Sequence, residues 1–563
     1  MRPAFHPFEQ LNYYSKSKPS KLFIYTEEET YTYEDSLNIV LKLAQWLKEK
    51  GIKAEDRVGI ALTKKPETVF LYLAAFYLDA IPFPIHPEET SSYIDTIINK
   101  INPGIIIGNG RNDIDNFMEF NKDTFDTAIK ENVSLDRNKE WSDPEQVAYL
   151  NFTSGSTGEP KAAITTYDNI FHNTISSIEA LKLNVFDVHL CLFPIWVHPH
   201  EIWARPLYLG GSLALTDTVF PKTMHNIIEK ANITAMMAVA PIYQTLISIK
   251  TPLRISSLRV AESGGMYFPP FLIKEFRNKT GITVIPVWGS TETTGIAFYN
   301  DDPKGDVTSI GKLCPGYEYR LSEGVVKELM IRGKGVVSGY YNLDEENRKN
   351  FRDGWYYTGD NIIEKDGNLI FIGREAGLIK VAGLKAYPLE IEQALLKHPA
   401  VSEAAVIATE DKIKGEVPKA FISLKSESET PLEIRKFLRE HLLDYKIPKD
   451  IEILEGLPKT SSGKVSYKRL KEMELEQTKI LLELERKINK LDIELISIIK
   501  QRYDLLMEIL NMRKSLELSS YSLRLKKELS DKAAEEALKQ DLPIDVIRDL
   551  LDILFDKSSL RNI

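Results

Sequence analysis

The chain changes character at Leu475, and no single fold type accommodates both sides of that change. Residues 475–563 contain no glycine, one proline (Pro543), three aromatic residues and 33 charged ones. Apolar residues recur at 481, 484, 488, 491, 495, 498, 505, 509 and 512, the three-four spacing of one long amphipathic helix. A second helix is expected around Leu523, Leu525, Leu529, Ala533 and Ala537, and a third over 544–555 behind Pro543. Two short helices cannot cover a seam running from 481 to 512, so pairing with a second copy is expected, a homodimer through 475–563.

Upstream of about residue 470, apolar runs such as VGIAL (58–62), AIPFPI (80–85), IIIGN (105–109), VAYLNF (147–152), SLALT (212–216) and TVIPVWG (283–289) alternate with helical stretches such as 36–50 and 66–78. That alternation predicts α/β architecture. A net charge of −9 leaves no cationic excess for a phosphate backbone, so nucleic acid is not an expected partner. Cys191 and Cys314 alone make neither a disulfide framework nor a zinc site. The longest apolar run, Val69 to Leu78, is too short to cross a bilayer. A cytoplasmic protein of a reducing compartment, without a membrane partner, is expected.

The chemistry concentrates at Thr153-Ser154-Gly155-Ser156-Thr157-Gly158-Glu159-Pro160-Lys161, which follows an apolar strand. Glycines let backbone N–H groups approach an anion, hydroxyls donate to its oxygens and lysine neutralises it. Composition alone also allows an exposed Ser/Gly loop, and the GxxxxGK[ST] spacing of a Walker loop is absent.

TSGSTGEPK resembles the phosphate-binding signature of the adenylate-forming superfamily, which includes acyl-CoA synthetases, nonribosomal peptide synthetase adenylation domains and beetle luciferases. Further elements resemble that family in its order: Tyr31-Thr-Tyr33 with DRVGIAL (56–62), WGSTET (288–293), YYTGD (356–360), GREAGLIKVAGLKAYPLEIE (373–392) and PKTSSGK (458–464). The resemblance implies a large α/β adenylation domain over 1–373 and a small α+β mobile lid over 374–474, followed by the all-α segment 475–563. It implies ATP and Mg²⁺ as cofactors and two half-reactions: a carboxylic acid becomes acyl-AMP with release of pyrophosphate, then a thiol of CoA or of a separate carrier protein takes the acyl group. By resemblance, Lys464 bridges the acid and the α-phosphate. Thr153, Ser154, Gly155, Ser156, Thr157, Gly158 and Lys161 hold the outer phosphates. Glu292 positions Mg²⁺ beside Thr291, and Asp360 with Arg374 holds the ribose. The lid would open a thiol tunnel near Lys380, Gly383 and Lys385. At its hinge the family has Asp or Lys where this chain has Ala376.

Family members that take α-amino acids carry an Asp for the ammonium. Counted back from Gly210-Gly211, that position is Val197. An unpaired ammonium in an apolar pocket is costly, so an acid without a free α-amine is expected, an aryl acid first of all. His198, Glu201 and Ser263 would line the pocket with Ala238, Ala261, Gly264, Val287, Gly295 and Ile296. His198 and Glu201 would bind a ring hydroxyl or distal amine, or else serve as satisfied structural groups.

Residues 484–558 resemble a type II chorismate mutase domain. Arg502 occupies an apolar seam position between Ile498 and Leu505, and by resemblance it binds a carboxylate of chorismate together with Arg513. Glu485, Leu525, Lys526 and Asp552 depart from that family's pattern. Mutase catalysis clamps a dianion electrostatically, so these changes predict a dimerising or ligand-sensing remnant rather than an active isomerase.

Overall fold

A computed structural model describes residues 5–110, 116–130, 132–154, 160–217, 220–249, 255–302, 308–374, 377–411, 413–425, 429–460, 463–516, 523–540, 542, 543, 545, 547 and 549. The chain divides into two compact units, Met1–Leu470 and Lys471–Ile563.

In the first unit the expected apolar runs become strands. Arg57–Ala61, Ile81–Pro84, Ile105–Gly108 and Phe117–Glu119 form a parallel sheet in the order Ile81–Pro84, Arg57–Ala61, Ile105–Gly108, Phe117–Glu119. A nine-stranded sheet carries the centre of the molecule. Its parallel part runs Val284–Ser290, Val260–Ser263, Ala235–Met237, Val188–Cys191, Ser212–Ala214, Leu22–Tyr25. The strands Gly295–Tyr299 and Thr30–Thr32 flank it in antiparallel register. Short Val-, Ile- and Ala-rich runs suit such strands because helices cover the parallel sheet.

Local signals set the helices. Thr32 and Asp35 form a reciprocal capping box that opens Tyr33–Glu49, and Pro66 fixes the first turn of Pro66–Tyr77, whose Thr68 to Tyr77 are all buried. A five-stranded sheet built on Trp355–Lys365 and Lys327–Gly333 follows. Beyond it, Gly415–Leu424 pairs with Val401–Asp411, Ile379–Val381 and Asp450–Ile453 under the helices Pro388–Leu396 and Pro431–Arg439. This second α+β layer has its own core around Ile391, Leu395, Val406, Ile422 and Leu438.

The long helix is a single element, Tyr467–Ser515, and starts upstream of the composition change. The Ser466 hydroxyl accepts from the Arg469 N–H at 3.3 Å, so the cap lies just after the PKTSSGK segment. In the second unit the seam is bare: Leu491, Ile498 and Leu505 are each 61–62 % exposed, and Leu481, Leu484, Ile488, Leu495, Ile509 and Met512 are exposed as well. Arg502 is less exposed than its seam neighbours Ile498 and Leu505. The second helix is Leu523–Lys539, with Ala537 buried. Of the expected third helix, 544–555, residues 544, 546, 548 and 550–555, Asp552 included, lie outside the described residues, as does the side chain of Arg513. Among the described residues no helix is long and apolar enough to cross a membrane.

Candidate active site

Four adjacent parallel strands end beside one another, and a cleft of about 520 Å³, open mouth included, lies past their carboxyl ends. Phe193 and Pro194 follow Val188–Cys191, Met237 closes Ala235–Met237, Gly264 and Gly265 follow Val260–Ser263, and Gly289 and Ser290 close Val284–Ser290. Val197 and His198 lead into the helix Pro199–Leu209, and Glu201 stands in its first turn. Of the pocket residues expected from sequence, Val197, His198, Glu201, Gly264, Val287, Gly295 and Ile296 line this cleft.

Ala238 and Ser263 do not, and neither does Ala261. Their neighbours Met237, Val239 and Gly264 take the lining positions, because alternate residues of extended chain face opposite sides. Ala238 is buried behind the lining, with its N–H donating to the Glu262 carbonyl at 3.1 Å. Phe193, Pro194, Met237, Val239 and Gly265 were not foreseen, although the same alternation at the strand ends would have found Met237 and Val239.

Lys464 also lines the cleft. Its chain end passes over the turn at Gly265, where an added Cβ would sit 3.5 Å from Nζ. Burial lowers the Lys464 pKa, and the nearby Arg374 charge lowers it further. Asp360 is buried, accepting from the Trp288 indole N–H at 2.9 Å and from Arg374 Nε at 2.8 Å. Burial raises its pKa against the pull of Arg374. Trp288 gave no sequence signal of this contact beyond its place in WGSTET.

Of the phosphate-loop candidates, Thr153 and Lys161 pair with each other across the antiparallel strands Val147–Ser154 and Pro160–Thr166. Gly155, Ser156, Thr157, Gly158 and the side chain of Ser154 lie outside the described residues. Lys161 Nζ is 2.6 Å from Glu346 Oε2 and stands 5.5 Å from the ring centre of Tyr340. The Tyr340 hydroxyl donates in turn to Glu292 Oε1 at 2.6 Å. The hairpin and Glu292 are thus tied through one tyrosine. Thr291 and Glu292 sit in the turn after Val284–Ser290, which Ser290 and Thr293 staple with reciprocal backbone–hydroxyl bonds of 2.8 and 3.2 Å. Lys380 and Lys385, both exposed, face each other across the hairpin Ile379–Val381/Leu384–Ala386, turned at Gly383 with φ +85°. Ala376 lies outside the described residues.

Beneath the cleft, Arg205 Nη2 lies 2.9 Å from Glu201 Oε2, and Arg205 Nη1 pairs with Glu262 Oε1. Burial opposes the Arg205 charge, but the two carboxylates outweigh it and raise its pKa. Burial pushes Glu262 up to about 7 against Arg205's pull. The i, i+4 spacing of Glu201 and Arg205 was a sequence signal for this pair; Glu262 had none.

Comparison with known proteins decides the family. The profile of the AMP-binding enzymes matches residues 12–341, and that of the AMP-binding enzyme C-terminal domain matches 390–464. The chain belongs to the AMP-binding enzymes. This AMP-binding enzyme is 28% identical over 479 residues to a 2-succinylbenzoate–CoA ligase of Geobacillus kaustophilus, covering 81% of this chain and 95% of the relative. It is 27% identical over 523 residues to a long-chain-fatty-acid–CoA ligase of Bacillus subtilis, covering 81% and 92%. Among solved structures, o-succinylbenzoate CoA synthetase of Bacillus subtilis with its acyl-adenylate intermediate superimposes with a TM-score of 0.75 at 25% identity, covering 83% of this chain and 98% of that one. An anthranilate CoA ligase in complex with anthranoyl-AMP reaches 0.77 at 23%, over 84% and 98%, which shows a shared fold. The AMP-binding enzyme described here is therefore an adenylate-forming ligase, with its large α/β domain followed by a smaller one.

Proposed function

We propose that this enzyme activates an aryl carboxylic acid with ATP and passes the acyl group to the thiol of coenzyme A. The observation that carries this reading is Lys464 lining the same cleft as Val197, His198 and Glu201, with Arg374 and Asp360 close by. A cation in an acyl-sized cleft beside a carboxylate suited to ribose hydroxyls is the arrangement the first half-reaction needs. The acid's carboxylate oxygen attacks the α-phosphorus, the bond to the β-phosphate bridge oxygen breaks, and pyrophosphate leaves with that electron pair. Lys464 then offsets the charge where two anions meet. Thr153 and Lys161 hold the outer phosphates with the loop between them, and Lys161 exchanges Glu346 for phosphate oxygens. In the second step the thiolate attacks the acyl carbonyl and AMP departs, with Lys380, Gly383 and Lys385 on the thiol's path.

Glu292 fits Mg²⁺. Glu292 would supply one carboxylate to the ion, with its remaining ligands coming from phosphate and water, as Mg²⁺ prefers. Bound there, it would neutralise phosphate charge.

The CoA ligases among the relatives favour coenzyme A over a carrier protein as acceptor. An amino-acid substrate is disfavoured by Val197 at the ammonium position. We assign residues 475–563 to homodimerisation through the bare seam, with no mutase turnover: Glu485 is exposed and adds negative charge where a dianion would bind.

The test is ATP–pyrophosphate exchange with aryl, fatty and amino acids, followed by thioester formation with coenzyme A. Exchange with an aryl acid and a CoA thioester product are expected. Exchange strongest with a proteinogenic amino acid would overturn the substrate reading, and no exchange with any acid would overturn the activity.

A further inference from the structure

The floor of the cleft holds charge that the adenylation chemistry leaves unused. Glu201, Arg205 and Glu262 have side chains at most 4% exposed, so one guanidinium serves two buried carboxylates. Glu201 Oε2 and Glu262 Oε1 take that guanidinium. Glu201 Oε1 is buried, lies in a residue that lines the cleft, and accepts no hydrogen bond. Residue 295 must be glycine for that oxygen to sit where it does: a Cβ there would lie 2.4 Å from Glu201 Oε1 and 2.6 Å from Asn173 Oδ1.

No cation of the lining stands ready to satisfy that oxygen. His198 and His200 are held neutral, burial pulling them down to about 4 and about 3. Lys464, the one other charged group among the described lining residues, has its task at the reacting carboxylate. A buried carboxylate oxygen left without a donor costs free energy that an incoming N–H or O–H recovers.

We propose that Glu201 is the specificity-determining residue of the acid pocket, and that the acid taken by this enzyme bears an amino or hydroxyl hydrogen-bond donor on its ring. The proposal rests on the acid-activating function above. It separates this enzyme from its 2-succinylbenzoate–CoA ligase relatives, because a second carboxylate on the acid would meet the carboxylate of Glu201.

The experiment is ATP–pyrophosphate exchange by the full chain with benzoate, the three aminobenzoates, the three hydroxybenzoates, 2-succinylbenzoate and the proteinogenic amino acids. The best amino- or hydroxybenzoate should exceed benzoate in kcat/KM by more than about tenfold, with 2-succinylbenzoate below benzoate. The Glu201→Gln variant, matched in shape, should bring the ratio of that best acid to benzoate down to within about threefold of unity, chiefly through KM. A purely structural Glu201 would lower stability and leave the ratio where it was, which overturns the proposal. Should the variant fail to fold, the wild-type panel still decides: benzoate, 2-succinylbenzoate or an α-amino acid as the best substrate overturns it while acid activation stands. No exchange with any acid overturns both.

Discussion

Lys464 and Gly295 both line the cleft, one carrying a charge and one having no side chain. Lys464 contributes where two anions converge, and its amine is already partly desolvated. Lys464→Ala is expected to cut acyl-adenylate formation by more than about a hundredfold, while thioester formation from supplied acyl-AMP stays within about tenfold. Pyrophosphate exchange close to wild type would remove Lys464 from its assigned place. Gly295 has φ +141°, and a Cβ there would collide with Asn173 Oδ1 at 2.6 Å as well as with Glu201. Gly295→Ala is expected to cost about 2 kcal/mol and to shrink the acid pocket. Calorimetry showing an unchanged melting temperature would contradict that. The motif positions of Lys464, Glu292 and Asp360 were legible in the sequence. The contacts of Tyr340 with Glu292 and of Trp288 with Asp360 were not, because each joins separate segments of the chain.

At the scale of elements, the start of the long helix is tied to the smaller domain by a buried carboxyl. Glu392, in Pro388–Leu396, accepts from the Tyr467 hydroxyl and from the Val406 N–H, each at 2.8 Å. Burial pushes its carboxyl up to about 7 from an ordinary 4.5, against the pull of those two donors. The folded protein therefore keeps a proton that the unfolded chain releases. The associated stability is complete below pH 4.5 and fades as the pH rises towards 7. Glu392→Gln keeps the shape and both acceptor contacts without the titration. Thermal melts should show the variant gaining on wild type between pH 5 and pH 8, by at most roughly 3 kcal/mol at the upper end. Parallel pH profiles for the two proteins would rule this out. The helix start at Tyr467 lies upstream of the apolar seam read from the sequence at 481, because a serine cap at Ser466 opens the helix earlier.

For the molecule as a whole, the bare seam from Leu481 to Met512 is the largest apolar feature left uncovered among the described residues of the second unit. Two such helices paired isologously close the surface and leave no edge for further growth. Removing residues 478–563 is expected to leave a monomer by light scattering and pyrophosphate exchange within about threefold, since the described groups of the cleft all precede residue 471. A truncated protein that is still a dimer would place the dimer contact elsewhere, and a monomeric full chain would dispose of the dimer altogether. Incubation of the intact protein with chorismate should yield no enzymatic turnover to prephenate.

What the sequence determined by itself was whatever rests on local order: α/β alternation, the helical tail, and the ordered motifs that mark an AMP-binding enzyme. Apolar periodicity and motif spacing are properties of consecutive residues, so they survive without a three-dimensional frame. Tertiary structure alone decided which alternate residues face the cleft, moving Ala238 and Ser263 behind Met237, Val239 and Gly264. It also decided that Arg205 is shared with Glu262, a residue of a neighbouring part of the site with no sequence relation to Glu201. That sharing leaves Glu201 Oε1 buried without a hydrogen-bond donor, a consequence of side chains from separate parts of the chain meeting in one place.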